Sequence, residues 1–376
     1  MISCGEASGD LYAGALAEAL RAQAPRVDLF GLGGDRLRAA GATLVGDFEG
    51  LTVTGLTEAV RVIPRSYAMY RRLVASAREL KPDVCVLIDF PDFNFRLMAA
   101  MRRMGVPVVY YISPQLWAWR PGRMKTIRRF VDKVLVIFPF EASLYEQAGI
   151  PVHHVGHPLV DLVQTLETRQ SFLGDLGLAQ ESPTVALLPG SRPNEVRRIM
   201  PGLASAIPLI RSCVPDVQFL VAGAPSLSED VFAPLMVEDA VFVHGRTDDV
   251  LAASDVVITA SGTATVQAAL HGCPMVVVYR VSFLTYLLGK SFLKIDTFAM
   301  PNLVAKRRIV PELIQGDFTP GRVAEETVGL LTDAVRREQA GEALRRVRDQ
   351  LGAPGASVRA ASVILDVATG SPGRGA

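Results

Sequence analysis

The chain has no excess charge of either sign. Its 376 residues carry 39 Lys and Arg against 38 Asp and Glu, a net charge of +1. No global basic field exists to hold nucleic acid, so that partner is excluded. Long apolar runs are missing as well. Mean hydropathy is high for a globular chain, +0.28, yet no stretch approaches the ~18 uninterrupted apolar residues of a membrane span. Cysteine is sparse: Cys4, Cys85, Cys213 and Cys273 lie far apart with no CxxC. That excludes a disulfide framework and points to reduced, mostly buried, cytoplasmic thiols. The five histidines form no HExxH or similar spacing, so no protein-bound metal is expected. The chain enters a glycine turn almost at once, so no signal peptide is expected. A full dinucleotide fingerprint is lacking too. After Gly31 and Gly33, Arg36 stands where GxGxxG needs its third glycine, which excludes a nicotinamide site. No cofactor is expected.

What is present is length and alternation. At 376 residues the chain exceeds the size at which one core keeps growing, and two domains are expected. Apolar β-branched runs such as Val84–Ile88, Val106–Ile112, Val134–Phe138, Val185–Leu188, Phe219–Ala222, Val256–Ile258 and Met275–Val278 alternate with helical patterns. This is an α/β chain with two doubly wound, Rossmann-like domains, expected to face one another across a cleft. Gly156-His157-Pro158 breaks the alternation. The expected domains are 1–157 and 158–349, with a C-terminal helix at about 350–368 packing back on the first. A disordered tail is expected over 370–376. His157 reads more readily as a satisfied hinge residue than as a ligand contact.

In open α/β sheets ligands bind at the carboxyl ends of strands. The run Val256–Ile258 ends in Ser261-Gly262-Thr263 and an Ala-rich helix. Side chains this small let a ligand approach, and the first N–H groups of a helix carry partial positive charge. The turn is therefore an anion site or an ordinary capped βα turn. Gly190-Ser191-Arg192 has the same placement and adds a cation. With Gln267 and Asn302 these residues suit a nucleoside diphosphate. In the first half, Asp89 is the first residue past a buried strand, the position for a general base; Asp92 reads as a helix cap, and the reverse assignment stays open. Glu6, Ser8, Asp10 and Asn94 line the same edge. Gln115 and Trp117 follow the next strand, as a crevice wall or a structural aromatic corner.

Two stretches mix apolar and basic residues. In 55–79, Val60, Arg61, Val62, Ile63 and Arg65 lead into a helix, and across the stretch only Glu58 and Glu79 offset five arginines. That suits a surface resting on anionic lipid or a solvated helix with its apolar side in the core. Ser282 to Ile295 is apolar most of the way round a helix, so it is buried or lies against lipid.

The motifs CGEASGD, LIDFPDFN, YISPQLWAWR, VGHPLVD, LLPGSRPNE, ASGTATVQAAL, PMVVVYR and MPNLVA, in that order across almost the whole chain, resemble the lipid-A-disaccharide synthases. The resemblance implies a GT-B fold and inverting, metal-independent glycosyl transfer. UDP-2,3-diacylglucosamine would donate to 2,3-diacylglucosamine 1-phosphate (lipid X), giving UDP and a β-1,6-linked disaccharide phosphate. It implies peripheral attachment to the inner membrane from the cytoplasmic side and is compatible with a homodimer. By motif, the family's essential acid falls on Asp89, its phosphate-region arginine on Arg192 and the asparagine of its PNL motif on Asn302. Gln267 stands where the family usually has Glu, which implies weaker donor binding with the chemistry retained. A sugar-nucleotide 2-epimerase, which shares the two-domain plan, is the enzyme alternative.

Overall fold

The structure, a computed structural model, describes residues 1–51, 56–116, 121–225, 227–236, 240–280 and 297–370; for 56–61 and 121 it describes the backbone only. Two compact units result. One takes Met1–Asp161 and the chain from Leu351; the other is drawn from the chain between Leu162 and Gln350.

The first unit holds a seven-stranded parallel sheet. Its strands are β1 (Ile2–Ser3), β2 (Phe30–Gly33), β3 (Thr43–Asp47), β4 (Cys85–Ile88), β5 (Val108–Tyr111), β6 (Lys133–Val136) and β7 (Val152–His154). They lie in the order β3-β2-β1-β4-β5-β6-β7. β4 and β5 are buried at every position, as strands covered by helices on both faces must be. The glycines at Gly31 and Gly33 sit inside β2, not past its end. A Cβ on Gly31 would run into the Ile2 carbonyl of β1, so glycine is what lets these strands approach.

The second unit repeats the plan with β8 (Thr184–Leu188), β9 (Gln218–Gly223), β10 (Val241–His244), β11 (Val256–Ala260), β12 (Met275–Tyr279) and β13 (Glu312–Ile314). The order is β10-β9-β8-β11-β12-β13, again all parallel. The helix Pro193–Cys213 lays Val196, Ile199, Leu203, Ile207 and Ile210 against Val185, Leu187 and Phe219, the i, i+3, i+4 spacing of a core-facing stripe.

Strand order reverses once in each sheet, between β1 and β4 in the first and between β8 and β11 in the second. There successive helices depart to opposite faces and leave a crevice at the carboxyl edge.

The C-terminal helix Ala356–Ala368 packs on the helix Ala7–Gln23 of the first unit. Gln23 donates to the Val358 carbonyl at 2.8 Å and accepts from Ser362 at 2.9 Å. Asp161 caps its start, accepting from the N–H groups of Gly355 and Ala356 at 2.8 and 3.1 Å. Arg359 reaches back to the Val155 carbonyl at 2.8 Å. His157 is buried between Tyr12 and Phe138, and its Nδ1 accepts from Leu159 N–H at 3.1 Å. Burial without a counter-charge lowers its pKa to about 3.

Candidate functional site

Asp89 leaves β4 at the switch point of the first sheet. Ser3 of β1 pairs with Leu87 of β4, so continuing that register places Gly5 beside Asp89. The backbone of Asp89 is held from three sides. Its N–H donates to Ile112 O at 3.2 Å, and its carbonyl accepts from Asn94 Nδ2 at 2.7 Å and Tyr110 Oη at 2.9 Å. Asp89 and Phe90 both adopt left-handed backbone, φ 42° and 51°. Each such non-glycine residue costs on the order of 1–3 kcal/mol and persists only where its surroundings over-determine it. The Phe90 ring occupies the space a Cβ on Gly5 would take, so Gly5 makes room for the turn. The half-buried Asp89 side chain is thus placed by a strained, braced loop. Asp92, by contrast, is 74% exposed and pairs with Arg123 at 2.9 Å. It lies in the first turn of the helix Pro91–Arg103, where a carboxylate complements the macrodipole.

Several residues expected at this edge are committed inside the fold. The Asp10 carboxylate, 4% exposed, accepts from Gly34, Arg36 and Leu37 N–H at 2.7, 2.9 and 3.2 Å. It caps the short helix Asp35–Ala39. Asn94 is fully buried; its Oδ1 accepts from Ser3 Oγ at 2.8 Å, tying β1 to the Asp89 turn. Glu6 is the N-cap residue of Ala7–Gln23, and it, Ser8 and Gln115 are half-buried. Trp117 lies outside the described residues, as does the stretch 282–295.

In the second unit Leu188 of β8 pairs with Thr259 of β11. The turns after these strands therefore leave the sheet about 4.8 Å apart. Gly262 is exposed and a Cβ there would meet open space. The N-cap of the helix Thr263–Leu270 is Gly262, so no side chain caps it there, and Thr265 N–H donates to the Gly262 carbonyl at 3.0 Å. Ser261 Oγ donates to Phe298 O at 3.0 Å. At the neighbouring turn Gly190 takes φ 130°. Ser191 N–H there is already held by Glu195 Oε2 at 3.2 Å. Arg192 is half-buried at the N-cap of Pro193–Cys213.

Asn302 does not present its amide to solvent. It is 1% exposed; Oδ1 accepts from Ile309 and Val310 N–H, and Nδ2 donates to Val310 O and Glu312 Oε1 at 2.6–3.0 Å. Glu312 in turn accepts from Phe298 and Ala299 N–H at 2.9 and 3.0 Å. Asn302 and Glu312 thus brace the Phe298 carbonyl that holds Ser261. Gln267 donates to Asp248 Oδ1 at 3.2 Å. Tyr110, Glu312 and Asp248 carry no motif a single sequence reveals; a buried hydroxyl in an apolar run, as at Tyr110, was the one available signal. Among the described residues no group of three or more His, Cys, Asp or Glu gathers to hold a metal.

A family model described as lipid-A-disaccharide synthetase matches residues 1–365. The lipid-A-disaccharide synthase of Myxococcus xanthus (strain DK1622) is 43% identical over 377 residues, covering 100% of this chain and 98% of the relative. Among solved structures, the UDP-GlcNAc 2-epimerase of Neisseria meningitidis bound to UDP-GlcNAc superposes with TM-score 0.65 at 13% identity, covering 94% of this chain and 96% of that one. The calicheamicin glycosyltransferase CalG4 gives 0.59 at 16% identity, covering 99% and 97%. These two likenesses show the fold, GT-B. The sequence match over nearly the full length shows more: the chain belongs to the lipid-A-disaccharide synthase family.

Proposed function

We infer that the chain transfers 2,3-diacylglucosamine from its UDP carrier to 2,3-diacylglucosamine 1-phosphate, by inverting single displacement without a metal ion. The observation that carries this reading is Asp89. A strained and triply held turn places a carboxylate at the switch point of a chain whose relatives bear that activity in name. In this mechanism Asp89 takes the proton from the acceptor's 6-hydroxyl as that oxygen attacks the anomeric carbon. UDP departs from the opposite face. Its charge is met by Arg192 and by the partial positive charge of the helix start after Gly262. The donor site comprises Gly190, Ser191, Arg192, Ser261, Gly262, Thr263 and Gln267 on domain 158–349, with Asn302 positioning it. Glu6, Ser8, Gln115 and Trp117 on domain 1–157 serve the acceptor, with Asp10 and Asn94 as bracing residues. The epimerase alternative has likeness of fold alone.

The acyl chains of both substrates favour work at the cytoplasmic face of the inner membrane. Within the helix Leu56–Leu80, Ile63 and Tyr67 are each 55% exposed, next to exposed Arg65. No helix among the described residues is long and apolar enough to cross a membrane. Contact through this helix surface fits both facts. A homodimer is part of the same proposal and is checked by light scattering.

The test is mass spectrometry of products from the two acylated glucosamines, with chelator present. Formation of the disaccharide phosphate is expected. Asp89→Asn should lower turnover by ~10²–10⁴-fold with UDP affinity retained. Near-normal turnover in that variant removes the base assignment.

A further inference from the structure

Asp248 and Asp249 are neighbours in the short helix Thr247–Ala252, yet their surroundings differ. Asp249 is 3% exposed and saturated: Arg246 Nε donates to it at 2.9 Å, and the N–H groups of Leu166 and Glu167 at 2.7 and 3.4 Å. Asp248 is 22% exposed. Among the described residues only its Oδ1 is engaged, by Gln267 Nε2 at 3.2 Å and His271 Nε2 at 3.1 Å. Oδ2 accepts no hydrogen bond from any described residue.

That arrangement also decides which way the Gln267 amide points. With Nε2 bound to the carboxylate, Oε1 is the end left over, and it too accepts nothing from a described residue. Turned over, the amide would set Oε1 against a carboxylate oxygen, acceptor against acceptor. The pair therefore offers two acceptor oxygens from adjoining side chains, one on the helix that starts after Gly262 and one on the helix that follows β10. Two adjacent hydroxyl donors on one ring, as in the 2′,3′-diol of a ribose, match two such acceptors. Carboxylates serve ribose hydroxyls in this way at dinucleotide crevices.

We propose that Asp248 is a donor-binding residue: it orients the Gln267 amide and supplies, through Oδ2, the anionic acceptor for one hydroxyl of the nucleotide ribose. His271 anchors the carboxylate at Oδ1, the oxygen that Gln267 also binds. The proposal rests on the donor reading of the helix Thr263–Leu270. It adds a charge beside Gln267 that the residue at 267 does not itself provide.

The test is calorimetric titration of the full chain with UDP, 2′-deoxy-UDP and 3′-deoxy-UDP, with melting curves to show that each variant is folded. Asp248→Ala should weaken UDP about tenfold, the scale of one charge-assisted hydrogen bond. It should also abolish the preference for UDP over one deoxy analogue. Asp248→Asn should lose the same discrimination while keeping an oxygen for Gln267 and His271, and it serves if the alanine variant fails to fold. Gln267→Glu alone should weaken UDP, because it sets two carboxylates side by side. The double variant Asp248→Ala/Gln267→Glu should regain most of the affinity lost in Asp248→Ala, a rescue that a purely structural role would not produce. Undiminished affinity and discrimination in both Asp248 variants would overturn the proposal. If Gln267→Ala nevertheless weakens UDP, the donor reading stands without Asp248; if it too leaves UDP binding unchanged, both fall.

Discussion

At the scale of single residues, buried polar groups separate scaffold from chemistry. Asp10, Asn94 and Asn302 are buried and saturated within their own units, whereas Asp89, just past β4, and Gln267, inside the helix Thr263–Leu270, are half-buried. The type of residue was legible in the sequence, but which partner consumed its hydrogen bonds was not, because those partners are up to 91 positions away. Asp248 beside Gln267 also changes what Gln267→Glu would report: the added carboxylate meets another at once. His157 yields a pH prediction. Its folded-state pKa is about 3 against an ordinary 6.5, so the unfolded chain takes up the proton first as pH falls. The residue contributes nothing to pH dependence above 6.5. Between pH 6.5 and 3 it removes about 1.4 kcal/mol of stability per pH unit. Urea unfolding of His157→Asn should therefore show about 2 kcal/mol less decline than wild type between pH 6.5 and 5. Parallel curves for the two proteins would show that His157 is not buried neutral.

At the scale of elements, the turn after β4 depends on the strand beside it. Tyr110 of β5 is fully buried, and its hydroxyl holds the Asp89 carbonyl at 2.9 Å. Tyr110→Phe should cost about 1 kcal/mol of stability and lower kcat three- to tenfold with donor KM unchanged; an unchanged kcat would mean that Asn94 and Ile112 suffice to hold the turn. The helix Leu56–Leu80 divides along its length. Leu73 and Ala77 are buried in the core, whereas Ile63 and Tyr67 are exposed. Replacing Val62 and Ile63 by Ser should reduce co-flotation with anionic vesicles at least threefold and leave the melting temperature within about 2 °C. Unchanged flotation would place membrane contact elsewhere, with the stretch 282–295 next to be tested. Strand β3 carries no strong sequence signal, because it lies at the sheet edge, exposed or half-buried throughout, and lacks the buried apolar run that marks β4.

At the scale of the molecule, chain ends and sheet order matter most. Asp161 ties the last helix to the first unit through the N–H groups of Gly355 and Ala356. This gives the VGHPLVD motif a structural role, as the anchor for a helix almost two hundred residues later. Asp161→Ala should destabilise the first unit by about 1–2 kcal/mol, as loss of a cap does. Calorimetry should show one transition moving and the other fixed. Coincident shifts would mean that the two units unfold together.

The sequence by itself determined the alternation of strand and helix, the doubly wound class, the small-residue turns and the motif order that marks the family. These are local properties, carried by side-chain size and periodicity within a few residues. Only the tertiary structure decided strand order, and with it the two switch points, one carrying the Asp89 turn and the other the turns at Gly190 and Gly262. It also decided that Asn302 is a brace and that Asp248 stands against Gln267. Contacts of this kind depend on register between strands and helices far apart in the chain, and spacing in a single sequence carries no record of register.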